Sequence, residues 1–108
     1  SKREKMMSLE KKYLKSRPVG KVTFRLPHAA APEAQSVFLV GDFNEWSKDA
    51  TPMTRLKSGE FKVALELEPG REYRFRYLIE GDTWENDWEA DKYVPSGIAG
   101  EDNSVVVV

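Results

Sequence analysis

The chain has 108 residues, 40% of them hydrophobic and 32% charged, which is the length and composition of one small folded domain and is too short for a (β/α)₈ barrel of about 250 residues. It contains no cysteine, so disulfide staples and thiol chemistry are excluded. With no apolar run near the roughly 20 residues of a membrane span, and no signal-peptide core, the expected setting is the cytoplasm. The net charge of −1 hides a split: residues 1–17 carry +5, seven basic side chains against Glu4 and Glu10, and the remainder carries −6. An acidic body argues against a general phosphate-binding surface and leaves the basic arm as the one candidate contact for an acidic partner.

In chain order, Met6, Leu9 and Tyr13 recur at helical spacing with Leu14 widening the stripe, so residues 3–16 are predicted to form an amphipathic helix stopped by Pro18 and Gly20. Its apolar stripe would cover a sheet edge or pair with another copy. The period then changes from 3.6 to 2. Val22, Phe24 and Leu26 alternate with Lys21, Thr23 and Arg25 in a half-buried strand ended by Pro27. Ser36 to Val40 is a compact run of β-formers ended by Gly41. Residues 52–57 form a short candidate strand. Phe61, Val63, Leu65 and Leu67 alternate up to the Pro69-Gly70 turn, and Tyr73, Phe75, Tyr77 and Ile79 then face inward while Arg74, Arg76, Leu78 and Glu80 face outward. Val105 to Val108 supply a last strand. Six or seven short strands at this spacing predict a β-sandwich, all-β apart from the N-terminal helix. The domain division is 1–17 for the helix and 18–108 for the sandwich.

All three tryptophans, Trp46, Trp84 and Trp88, fall outside the regular strands, in turn segments rich in Gly, Asp and Asn. Tryptophans so placed either plug turns or form an exposed aromatic platform. A platform suits sugars, because the axial C–H bonds give a pyranose one apolar face while its equatorial hydroxyls reach sideways to guanidinium, carboxylate and amide groups. Arg76 on its outward strand face, with Asn86, Asn103 and Asp82 in nearby turns, would supply those groups.

Catalysis has few candidates. Asp42, Glu45, Asp82 and Glu85 are the carboxylates a glycosidase reading would use, but acidic residues are also ordinary turn formers and no second domain deepens a cleft around them. With His28 the one histidine, no phosphate loop and no zinc-ligand spacing, triads and the usual metal sites are excluded, so no cofactor or metal is expected. Nucleic acid and membranes are not expected partners either, since aromatic and basic residues do not interleave along one strand face.

The stretch Val37-Phe38-Leu39-Val40-Gly41-Asp42-Phe43-Asn44-Glu45-Trp46 closely resembles the strand and G-x-F-N-x-W turn of glycogen-binding domains, the family 48 carbohydrate-binding modules. Such modules occur in the β subunit of AMP-activated protein kinase and as the N-terminal early-set domain of isoamylases and glycogen-branching enzymes. Three further segments match in order: Phe61 to Gly70, Tyr73 to Gly81 with Trp84, and Gly100 to Val108 with Asn103. The resemblance spans residues 19–108. It implies an immunoglobulin-like early-set β-sandwich that binds α-1,4-linked glucans such as glycogen, starch and maltooligosaccharides without catalysing their hydrolysis. Carried over position by position, it makes Trp46 and Trp84 the stacking residues and Arg76 and Asn103 the hydroxyl-binding residues. Kinase-type domains usually carry lysine at the Arg76 position, and arginine keeps the charge but presents a planar fork. At Trp88 the family usually has proline. That ring either extends the platform or folds back near Tyr93. The alternative function on the same fold is a module that docks on a glycogen-metabolising enzyme or kinase.

Overall fold

A computed structural model describes residues 8–108. Nine strands among the described residues form two antiparallel sheets. One sheet has the order β1-β2-β5-β4, with β1 Leu9–Tyr13, β2 Gly20–Leu26, β4 Thr54–Arg55 and β5 Phe61–Leu67. The other runs β3-β6-β9-β8, with β3 Val37–Gly41, β6 Glu72–Ile79, β8 Lys92–Pro95 and β9 Asp102–Val107, while β7 Thr83–Glu85 pairs with the end of β6. This is the expected sandwich.

The inward residues are the ones that period-2 alternation selects. Val22, Phe24 and Leu26 from one sheet meet Leu39, Phe75 and Tyr77 from the other, all fully buried. Each such side chain contributes roughly 1.5–3 kcal/mol on burial. Phe75 lies at the centre, edge-on to Phe24 at 5.1 Å and to Tyr77 at 5.7 Å between ring centroids.

The N-terminal helix is corrected over the described residues. Leu9–Tyr13 is a strand, in register with β2 from Leu9↔Phe24 to Tyr13↔Gly20, and the ladder extends to Arg25, whose N–H donates to the Ser8 carbonyl at 2.9 Å. The part of the helix placed on residues 3–7 lies outside the described residues. The physical reason is the free edge of β2. Its outer row of N–H and C=O groups needs partners, and a strand supplies them at once, whereas a lone helix of this length is marginal in water. The stripe also carries a second period. Leu9, Lys11 and Tyr13 share one face, and from it Lys11 Nζ reaches Asp91 Oδ2 at 2.7 Å and the Tyr13 hydroxyl donates to the Val108 carbonyl at 2.7 Å.

Two further strands, β7 and β8, sit in stretches whose sequence shows no alternation, and they are placed by backbone pairing, Leu78↔Trp84 for β7 and Val94↔Asn103 for β8. Between them the chain is locked down by a buried carboxylate. Asp87, 2% exposed, accepts the Tyr77 hydroxyl on Oδ2 at 2.7 Å and the Glu89 N–H on Oδ1 at 2.8 Å. Burial pushes the Asp87 carboxyl up, and these donated bonds offset only part of that; burial and then the Asp87 charge push the Tyr77 phenol well above its usual value.

Replacing Asp87 with Ala leaves the buried Tyr77 hydroxyl with only the Arg25 carbonyl, at 3.5 Å, as acceptor, and is expected to cost about 1–3 kcal/mol, measured as the shift in urea unfolding free energy. Gly41 is held by contact rather than by conformation, since a Cβ there would lie 2.5 Å from the Arg74 carbonyl oxygen and 2.8 Å from the Phe75 Cβ. Gly41→Ala is therefore expected to destabilise the fold by about 1–3 kcal/mol in the same assay.

Candidate functional site

The outer face of the β3-β6-β9 sheet carries Arg74, Arg76 and Leu78 from β6. Strand pairing sets their neighbours. Trp84 lies opposite Leu78, and Asn103 follows one residue beyond the Phe75↔Ser104 pair, beside Arg76. Arg76 Nε donates to Asn103 Oδ1 at 2.8 Å, and its Nη1 lies 3.4 Å from Glu101 Oε1. The guanidinium carbon is 6.0 Å from the centroid of the Trp84 ring, which Lys48 Nζ approaches to 5.9 Å.

The opposite wall is the turn after β3, and each of its residues has a distinct job. Phe43 packs back on Phe24, with ring centroids 5.5 Å apart. Asn44 staples the turn, accepting the Gly41 N–H at 3.1 Å and donating to the Leu39 carbonyl and to Thr51 Oγ1, both at 2.9 Å. Glu45 and Trp46 then take left-handed φ of 58° and 57°. Two side chains with a Cβ in that region cost on the order of 1–2 kcal/mol each, and the bonds around them hold the turn. Trp46 N–H donates to the Gly41 carbonyl at 2.8 Å, and its indole Nε1 donates to Asp42 Oδ1 at 2.9 Å.

Asp42 also takes the Arg74 backbone N–H on Oδ2 at 2.8 Å and Arg74 Nε at 3.1 Å. Partial burial pushes this carboxyl up, but the bonds from Arg74 and from the Trp46 indole outweigh it and hold it below the ordinary carboxylate value. One carboxylate thus orients both Trp46 and Arg74.

Together these residues enclose an open groove of about 540 Å³. Of the residues singled out in the sequence, Trp46, Arg76, Trp84 and Asn103 line it, whereas Asp82 and Asn86 do not: Asp82 accepts from Thr83, and Asn86 bonds to the Asp102 carbonyl and the Ser104 hydroxyl. Trp84 is 39% exposed. Arg74, Ser96, Ile98 and Glu101 complete the lining. Sequence reading missed these four. Ile98 was detectable as a lone aliphatic residue in the Gly97-Ile98-Ala99-Gly100 loop, and it stands 61% exposed at the tip of the β8–β9 hairpin, where Ser96 N–H bonds to the Glu101 carbonyl. Trp88 lies outside the groove lining. It is 53% exposed, with Nε1 donating to Glu85 Oε2 at 3.0 Å, while Tyr93 turns its hydroxyl to the Asp87 carbonyl at 2.6 Å.

The family profile of carbohydrate-binding module 48, the isoamylase N-terminal domain, matches residues 10–94. The chain belongs to this family. A 1,4-α-glucan branching enzyme from Aquifex aeolicus is 43% identical over 60 residues, 53% of this chain and 9% of the enzyme. One from Emericella nidulans is 43% identical over 51 residues, 47% of this chain and 7% of the enzyme. Among solved structures, a pullulanase mutant from Paenibacillus barengoltzii superposes with a TM-score of 0.56 at 23% identity, over 94% of this chain and 15% of that one, which shows a shared fold. The chain thus spans less than a tenth of the branching enzymes it matches. The matched residues begin within β1 and end within β8, before β9.

The Asp42 shift fixes a pH dependence. A carboxyl held below its unfolded value contributes stability above about pH 3.8 and loses it as pH falls through the lower folded value. Asp42→Asn is therefore expected to be less stable than the parent at neutral pH, with the gap closing in acid. Urea unfolding of both proteins from pH 7 to 2.5 reads this gap, and taking the difference cancels the contribution of Asp87, whose shift has the opposite sign.

Proposed function

We propose that this domain is a non-catalytic module that binds α-1,4-linked glucans in the groove between Trp46 and Trp84. The observation that carries the reading is the convergence of two indoles, a guanidinium and a carboxamide from four separate segments on one open groove. The indole faces suit the apolar faces of glucose rings, and Arg76, with Asn103 Nδ2, suits the hydroxyls. Asn103 Oδ1 is already taken by Arg76, so the pair is set before a sugar arrives. Family membership supports a carbohydrate as ligand, and the names of the relatives, 1,4-α-glucan branching enzymes and a pullulanase complexed with maltotetraose, support the α-glucan class.

Binding fits the carboxylates better than hydrolysis does. Asp42 is committed to Trp46 and Arg74, Glu85 to the Trp88 indole and Asp82 to Thr83, and neither these three nor Glu45 is among the residues lining the groove, so none of the four is placed as an acid and nucleophile pair across it. In a longer protein the module would hold the substrate chain near a catalytic domain supplied elsewhere, or deliver a partner enzyme or kinase to glycogen.

The open groove buries little of a ligand, so Kd for maltoheptaose is expected on the order of 10–1000 µM. Trp46→Ala and Trp84→Ala should each lose about 1–3 kcal/mol of binding, with folding little changed in Trp84→Ala and the melting temperature lowered in Trp46→Ala, which also loses the indole bond to Asp42, read by titration calorimetry and thermal melting. Full affinity in either variant would make that tryptophan a structural plug. No maltoheptaose binding by the parent would leave protein docking as the function of this fold.

A further inference from the structure

Arg74 lines two cavities. One is the groove described above, and the other, of about 500 Å³, is lined by Asp42, Arg71, Glu72, Arg74, Val94 and Val105. Sheet register makes them consecutive. Along β6, Arg76 and Arg74 lie on the same face two residues apart, about 7 Å at ~3.3 Å per residue. Arg76 shares its row with Asn103, which pairs with Val94, and Arg74 pairs with Val105, which pairs in turn with Lys92. Asn103 on the first cavity and Val94 on the second are thus direct neighbours across β8 and β9.

The second cavity has a chemistry of its own. Two cations, Arg71 and Arg74, face two anions, Asp42 and Glu72, so its lining carries no net charge. Arg74 is clamped by Asp42 at 3.1 Å, and Glu72 is held by Lys92 at 2.9 Å. Cationic and anionic side chains in equal number beside Val94 and the buried Val105 match a neutral chain that is polar at its edges and apolar on its faces. A phosphorylated or cationic ligand would find its own charge opposed by half of this lining.

We propose that the glucan groove continues past Arg74 into this second cavity, which takes the next glucosyl units of a long neutral chain and makes the domain selective for longer glucans. The inference rests on the glucan-binding reading above and adds to it a length preference and a direction, from Trp84 across Arg76 and Arg74 toward Arg71 and Glu72.

The test titrates maltotriose and maltoheptaose into the parent and into Arg71→Ala and Glu72→Ala. Both side chains are exposed, and thermal melting confirms that each variant folds. The expected result is several-fold tighter binding of maltoheptaose than of maltotriose by the parent, with each variant losing about 3- to 10-fold on maltoheptaose and less than about 2-fold on maltotriose. Methyl NMR gives a second measurement: Val94 and Val105 signals should shift with maltoheptaose and stay in place with maltotriose. Equal weakening of both sugars, unchanged binding of both, or silent Val94 and Val105 methyls would overturn the second subsite while the groove at Trp46 and Trp84 stands. Failure of both sugars to bind the parent, or undiminished binding in Trp84→Ala, would instead sink the reading on which it rests.

Discussion

Everything on the candidate site depends on how β3 leaves its sheet. At Gly41 the strand passes so close to β6 that no side chain fits against the Arg74 carbonyl. One residue later the Asp42 carboxylate takes the bond that a backbone carbonyl would otherwise make, accepting the Arg74 N–H at 2.8 Å. The same carboxylate accepts the Trp46 indole and the Arg74 side chain. A single ionised group therefore ends the ladder, aims one wall of the groove and fixes Arg74, which lines both the groove and the neighbouring cavity. Charge-assisted bonds of this kind are roughly twice as strong as neutral ones, which is what a turn with two left-handed non-glycine residues needs to persist.

The second feature of the site is that its polar groups are paired with one another before any ligand arrives. Arg76 bonds to Asn103, Arg74 to Asp42, and Glu72 to Lys92. Side chains so held lose less entropy when a ligand binds, and the Arg76–Asn103 pair inherits its position from the pairing of β6 with β9, while Arg74 is held by the turn after β3. The rim adds Ile98, exposed on its hairpin tip, and Lys48 above Trp84. A paired polar floor suits a ligand that repeats, because each unit of a homopolymer presents the same faces and the same hydroxyls.

Much of this was legible in the sequence where one face of a strand is buried. The alternation in β2, β5 and β6 marks the core and leaves Arg74 and Arg76 outside, because a one-residue slip would turn Phe24, Phe75 and Tyr77 to water. Trp46, Trp84, Arg76 and Asn103 were picked by residue type and turn position, and by resemblance to a family pattern, and they line one groove. Elements held mainly by backbone pairing were not legible. Residues 9–13 have apolar spacing compatible with a helix and with a strand, and the choice was made by the free edge of β2, which lies in another segment. The strands β7 and β8 have no alternation to betray them.

The sequence by itself therefore determined the sandwich of alternating strands and picked out four of the residues that line the groove, since burial periodicity and turn chemistry are local properties written along the chain. Tertiary structure alone decided which of those residues meet. Trp88 and Trp84 look alike in sequence, yet pairing with Leu78 places Trp84 on the groove, while the buried Asp87 carboxylate turns the chain and leaves Trp88 outside the groove lining. Arg74 and Arg76 are equally outward by alternation, yet one sits between two cavities and the other beside a carboxamide. The physical reason is that a site is a set of contacts between segments distant in the chain, and register, not residue type, sets those contacts.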